Sequence, residues 1–231
     1  MYHLYARTQT TMRQPPLSLS EQAYAQIRSM IVRLDFAPGD VLREDALQHQ
    51  LDIGRTPIRE ALQRLAREHF VTVIPRRGMF VSGIEVSELS MLFETRTVLE
   101  PYAARLAAAR GTADHWNEMQ AALDGVTHAT SAEDLMTIDR RCHELMWEAA
   151  DNRFLLDTLD MLYAQSDRLW HLYLTDVADM NEAVDEHARI LDALNSGDGD
   201  RAGELVEAHL RSFDAEIRHA VTERLESPLA G

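Results

Sequence analysis

The chain has 231 residues, of which 45% are hydrophobic and 26% charged, with a formal net charge of −15. That length allows one large or two ordinary domains, and the composition excludes a collagenous, mucin-like or wholly disordered chain. Aromatic residues make up only 6%, which favours helices over a sheet-rich sandwich.

No apolar run approaches the ~20 residues of a transmembrane helix, so no membrane partner is expected. The N-terminus lacks the basic-then-apolar layout of a signal peptide. A single cysteine, Cys142, excludes an intramolecular disulfide, and a cytoplasmic location is expected. The charge is unevenly divided. Residues 1–83 carry eleven arginines against eight acids, whereas residues 84–231 carry twelve against thirty, and every basic residue is arginine. An acidic body repels DNA, so any nucleic-acid contact has to come from the head.

In chain order, residues 1–17 are polar and read as a flexible tail. Ser20 is placed as the N-cap of a first helix, with Ala23, Ile27, Met30, Ile31 and Leu34 at helical spacing. Pro38-Gly39 ends it as a turn. A short helix follows from about Glu44 to Leu51. A tight connection, Asp52-Ile53-Gly54, leads to a third helix with Pro57 in its first turn. The pattern then changes to Val71–Ile74, a Pro75-Arg76-Arg77-Gly78 turn and Met79–Val81, a β-hairpin with a basic tip. From Ser87 every segment reads as helix, at about 87–110, 113–127, 132–150, 153–174, 178–195 and 199–226. The expected fold class is mainly α. A winged helix-turn-helix of three helices plus a β-hairpin wing spans 18–83, and an all-α antiparallel helical bundle spans 87–227.

The third helix buries Ile58, Ala61, Leu62 and Leu65, which leaves Arg55, Arg59 and Gln63 together on its other face. Arginine pairs with guanine O6 and N7, and glutamine with adenine, so this face suits reading base edges. Arg76 and Arg77 suit phosphates or the minor groove, and Thr56 at the helix N-terminus suits a phosphate. The bland alternative is a three-helix module with solvated arginines. Residues 55–62, Arg-Thr-Pro-Ile-Arg-Glu-Ala-Leu, closely resemble the signature of the GntR family of bacterial transcription regulators. Ala37-Pro38-Gly39 with Leu42 and Glu44, and Arg77-Gly78 with Phe80-Val81, resemble its flanking pattern. The resemblance implies that Arg55 and Arg59 contact operator DNA and that Gly78 forms the wing tip. The chain departs from the family pattern at Gly54, where a capping Ser is usual, and at Asp52 and Asp45.

In the body, polar groups fall in phase with apolar ones. Asp139 and His143 share a face with Leu135, Cys142 and Met146. His187 aligns with Val184 and Leu191, and His209 with Val206 and Phe213. Arg96 aligns with Leu92 and Leu99. A buried carboxylate requires a partner. Three imidazoles and a carboxylate are ligands for a divalent metal ion, zinc above all, with nickel, manganese or iron as alternatives. Each histidine taken singly also fits a core side chain bonded to a carbonyl. The remaining histidines read as surface or packing groups, with His171 as the exception because its helix is placed to line a pocket. Trp116, Trp147 and Trp170 read as core.

Residues 89–213 resemble the FCD ligand-binding domain of the FadR subfamily within GntR. The resemblance rests on Glu94-Thr95-Arg96 with Leu99-Glu100, on Asp139-x-x-x-His143, on Asn152, on Glu186-His187 and on His209-Leu210. It implies that Asp139, His143, His187 and His209 surround one metal and that Asn152 is a helix N-cap.

The expectation is a DNA-binding transcription regulator, more often a repressor by family resemblance, acting as a homodimer on a near-palindromic operator. Its effector would be a small organic acid held by Arg96 beside the metal. Internal compensation of Arg96 by Glu100 or Asp139 is the alternative. Two rival functions remain open: a metal-dependent hydrolase, and an architectural DNA binder with a structural metal.

Overall fold

Ser18, not Ser20, starts the first helix. The computed structural model describes residues 17–83, 86–127, 129–173 and 181–226; the expected tail, apart from Leu17, lies outside them, as do His3 and His128. Helix α1 spans Leu19–Val32. Ser18 Oγ accepts from the Glu21 amide at 3.2 Å, and Glu21 Oε2 accepts from the Ser18 amide at 2.8 Å. A capping box needs a side chain such as Glu or Gln, able to accept a hydrogen bond, three residues after the cap. Ser18 has Glu21 there, whereas Ser20 has Ala23.

The chain turns at Gly39, whose φ of 89° is open to glycine at little cost, and enters a two-residue strand, β1 (Val41–Leu42). Helices α2 (Glu44–Leu51) and α3 (Arg55–Arg67) follow, then β2 (Val71–Ile74) and β3 (Gly78–Val81). The expected hairpin is part of a three-stranded antiparallel sheet in the order β1-β3-β2, with Val41 opposite Phe80 and Val71 opposite Val81. Ile27, Ile31, Leu47, Ile58, Leu62 and Phe70 close the core of this winged helix-turn-helix head. Gly54 caps α3 with no side-chain hydrogen bond.

The body is entirely helical: α4 (Val86–Arg110), α5 (Ala113–Asp124), α6 (Ala132–Ala149), α7 (Arg153–Tyr173), α8 (Asn181–Asn195) and α9 (Gly199–Glu226). Helix α5 stops at Asp124, earlier than expected, because Gly125 serves as its C-cap. Asn152 Oδ1 accepts from the Leu155 amide at 3.3 Å, as expected of an N-cap. Helices α4 and α9 run against each other, and α6, α7 and α8 complete the bundle. Trp116, Trp147 and Trp170 are buried in it.

Head and body meet along α1 and α7. Arg28 Nη1 lies 2.6 Å from Asp160 Oδ2, and Arg140 of α6 reaches the other oxygen of Asp160 at 2.7 Å. Gln165 donates to the Glu68 carbonyl at 3.0 Å, and Arg168 donates to the Ser82 carbonyl. Ala164 joins the head's core. Among the described residues no helix is long and apolar enough to cross a membrane.

Candidate metal centre and nucleic-acid face

Helix α6 sets Asp139 and His143 one turn apart on its inner face, since residues at i and i+4 are neighbours. Helix α8 brings His187 and α9 brings His209 to the same point. The four side chains are buried, and each offers a ligand atom within 4.8 Å of the others. His187 Nε2 and His209 Nε2 each lie 3.6 Å from Asp139 Oδ1, and His143 Nε2 lies 3.3 Å from His209 Nε2.

The outer nitrogens explain why the inner ones converge. His187 Nδ1 donates to the Ala183 carbonyl at 2.8 Å, and His209 Nδ1 donates to Glu186 Oε2 at 2.7 Å. His143 Nδ1 lies 2.8 Å from Glu100 Oε2. An imidazole whose Nδ1 carries the proton keeps its lone pair on Nε2. The Nε2 atoms of His187 and His209 therefore face one buried carboxylate with their lone pairs, and His143 Nε2 stands beside them. Ligands on a shell of roughly 2.0–2.1 Å bonds sit about 3.3 Å apart, close to these separations. Acceptors behind ligating histidines are the usual outer support of a metal site. The residues present fit a divalent ion.

Electrostatics point the same way. Burial alone would push the Asp139 carboxyl up, but the three imidazoles and the Tyr163 hydroxyl outweigh it and hold it at about 2. Burial lowers His187 to about 3, so this ring is neutral. Burial also disfavours charge on His209, but the hydrogen bond to Glu186 and the nearby Asp139 and Glu186 carboxylates together outweigh it and raise this group. Burial pushes the Cys142 thiol up, consistent with a small core hydrophobe.

Arg96 comes from α4 and is 2% exposed. Its Nε donates to Glu100 Oε1 at 2.5 Å. Of the two acids considered for it, Glu100 is the partner; Asp139 instead accepts from Tyr163 Oη at 2.6 Å. The terminal nitrogens of Arg96 have no acceptor among the described residues. Arg96 borders a narrow cavity of about 10 Å³ that Asp139, His143, Tyr163 and His209 also line. His171 lies elsewhere, in a cleft of about 330 Å³ between α1 and the α6–α7 pair. Sequence reasoning missed Tyr163, the bond of Glu186 to His209 and the place of Glu100 beside His143. All three act across helices, where no local spacing marks them.

On the head, α3 carries Arg55, Thr56, Arg59 and Gln63 on its exposed face, and Arg76, Arg77 and Gly78 are exposed at the wing. Arg76 and Gly78 have φ of 63° and 113°, which makes the tip a tight reversal. The arginines of α3 are not free. Glu44 Oε2 lies 2.9 Å from Arg55 Nε, and Glu44 Oε1 lies 3.0 Å from Arg59 Nε. Sequence reasoning named Glu44 in the family pattern but missed its pairing with these arginines.

Comparison with known proteins decides the lineage. Residues 19–81 match "Bacterial regulatory proteins, gntR family", and residues 91–212 match the FCD domain. The "Nta operon transcriptional regulator" of Aminobacter aminovorans is 32% identical over 200 residues, covering 84% of this chain and 94% of that protein. The chain is a GntR-family transcription regulator with an FCD domain. The "HTH-type transcriptional repressor RspR" of Escherichia coli (strain K12) is 27% identical to this regulator over 214 residues, 91% of this chain and 94% of that one. The solved structure "E. coli McbR/YncC" shares the regulator's fold with a TM-score of 0.78 at 21% identity, covering 88% and 98% of the two chains. The relatives are transcription regulators and so is this chain, which sets the hydrolase reading aside. A GntR head makes it a DNA-binding protein.

Proposed function

We propose that this regulator is a repressor whose operator affinity is set by a small organic acid held between Arg96 and a divalent metal ion. One observation carries the reading: Glu100 takes only the Nε edge of Arg96, Arg96 lines the metal-site cavity, and among the described residues no acceptor pairs with its terminal nitrogens. A carboxylate fits that vacant fork in a bidentate pair. Asp139, His143, His187 and His209 would hold the ion, which is most suitably zinc for this nitrogen-rich set, with nickel, manganese or iron as alternatives. The bound ion supplies a Lewis-acidic anchor for an anion. Repression is supported by the name of the E. coli relative.

On the DNA side, Arg55, Arg59 and Gln63 would face base edges, Thr56 a phosphate, and Arg76 and Arg77, at the wing tip formed by Gly78, phosphates or the minor groove. The DNA-binding unit would span 18–83 and the effector unit 87–227. A homodimer is supported by the exposed apolar stripe Met91, Val98 and Tyr102 on α4; Val98→Asp should then yield monomers in analytical ultracentrifugation.

Coupling follows from connectivity. The cavity is too small for an acid of several atoms, so binding moves the helices that line it. Helix α6 carries Asp139, His143 and Arg140, and Arg140 shares Asp160 with Arg28 of α1. Movement at the cavity thereby reaches the head. The test is fluorescence anisotropy of the zinc-loaded protein on a duplex enriched from a random pool, with a panel including lactate, malate and citrate. At least one acid should shift affinity about 5-fold or more, a typical allosteric coupling. A response only to uncharged sugars or acyl-CoA contradicts the reading.

A further inference from the structure

Glu44 is an acid on the face that meets DNA. It is the first residue of α2, and its side chain is 20% exposed beside Arg55 and Arg59, at 69% and 54%. A carboxylate there repels phosphates, so on electrostatics alone it opposes DNA binding. Its contacts supply a different use. One oxygen holds the Nε of Arg55, the other holds the Nε of Arg59, and the Arg59 Nη2 lies 3.4 Å away. Both guanidinium groups are gripped by the edge nearest the chain. Arg55 keeps both terminal nitrogens for a partner, and Arg59 keeps its Nη1 and part of its Nη2.

We propose that Glu44 is a specificity-determining positioning residue, which aims the outer ends of Arg55 and Arg59 at base edges. This rests on the reading of those two arginines as base contacts. The physical grounds are these. Arginine has a long, flexible stem, and a guanidinium that waves freely finds phosphates as readily as bases. A bidentate pair with guanine needs the fork in one plane and one place. A bridging carboxylate fixes both forks before DNA arrives, and the ordering is complete in the free protein. Gly54 makes the service more necessary, since α3 begins with no side-chain cap to anchor its first turn. Glu44 also sets a negative charge beside Arg55, which otherwise places a cation at the positive end of the α3 dipole.

The two effects of Glu44 have opposite signs on two kinds of DNA, and that separates them. The full-length protein, its Glu44→Gln variant and an Arg55→Ala/Arg59→Ala variant are titrated by anisotropy. The duplexes are one enriched from a random pool by the wild type and a scrambled duplex of equal composition. Glu44→Gln should lose about 10-fold on the enriched duplex, the scale of one disturbed base contact, while binding the scrambled duplex equally or more tightly. Glu44→Asp, one methylene too short to bridge both arginines, should fall between. In the free protein, exchange of the Arg55 and Arg59 Nε hydrogens, followed by NMR, should accelerate in Glu44→Gln.

If Glu44→Gln tightens both duplexes equally, Glu44 is a latch that competes with DNA, and the proposal is overturned. An unchanged ratio of the two affinities, or unchanged Nε exchange, overturns it as well. If the double arginine variant keeps the wild-type ratio, the base-contact reading itself fails, and Glu44 has nothing to aim.

Discussion

Tyr163 donates its hydroxyl hydrogen to Asp139 Oδ2 at 2.6 Å, across the α6–α7 boundary. The bond leaves Oδ1 of the same carboxylate facing His187 and His209. It fixes the one anionic ligand of the proposed metal centre, and it ties that centre to the helix that meets the head. Outer partners of this kind are worth about 10–100-fold in metal affinity. Tyr163→Phe should therefore weaken zinc binding by that factor in a competition with a chromogenic chelator, while the ring's packing keeps the fold. Unchanged affinity would show that the hydroxyl only satisfies a buried oxygen.

Metal removal gives the second prediction. A ligand that binds only the native state stabilises it, by about 4 kcal/mol when present at 1,000 times its dissociation constant. Stripping the protein with a chelator should lower Tm, and stoichiometric zinc should restore it. His187→Ala should copy the stripped protein and show no response to zinc. A wild-type Tm indifferent to both chelator and zinc argues that the cluster is held by its own hydrogen bonds.

The third prediction concerns the junction. Arg28 and Arg140 share Asp160, so Asp160→Asn should cut the link between α6 and α1. Basal operator affinity should change little, since no DNA-facing residue is touched, but the fold-effect of an active acid should shrink toward one. Retention of the full effect would place the route elsewhere, for example through Arg168 and the Ser82 carbonyl.

Much of this was legible in the sequence because burial leaves a period. Asp139, His143, His187 and His209 stood in phase with apolar residues, and the structure brings those four together. Arg96 and Glu100 were readable as an i, i+4 pair for the same reason. Strand β1 was not readable, since two residues show no alternation. Ser18 and Ser20 both precede the apolar period that begins at Ala23, and only Glu21, three residues after Ser18, distinguishes the cap. The bonds of Tyr163, Glu186 and Glu44 escaped because their partners lie 23–24 residues away in the first two cases and 11–15 in the third. No helical or strand repeat marks such distances.

The central claim is that an organic acid acts through the vacant fork of Arg96. Removing Arg96 alone strands Glu100, which is fully buried, and breaking a buried pair from one side typically costs about 3–5 kcal/mol. The measurement is therefore operator anisotropy, with and without the most active acid, on the zinc-loaded Arg96→Met/Glu100→Gln protein, with metal content determined in the same sample. At saturating zinc, which offsets the weaker support of His143, the account predicts full metal content, basal operator affinity close to wild type and no response to the acid. A full response in the double variant, with metal in place, would contradict it.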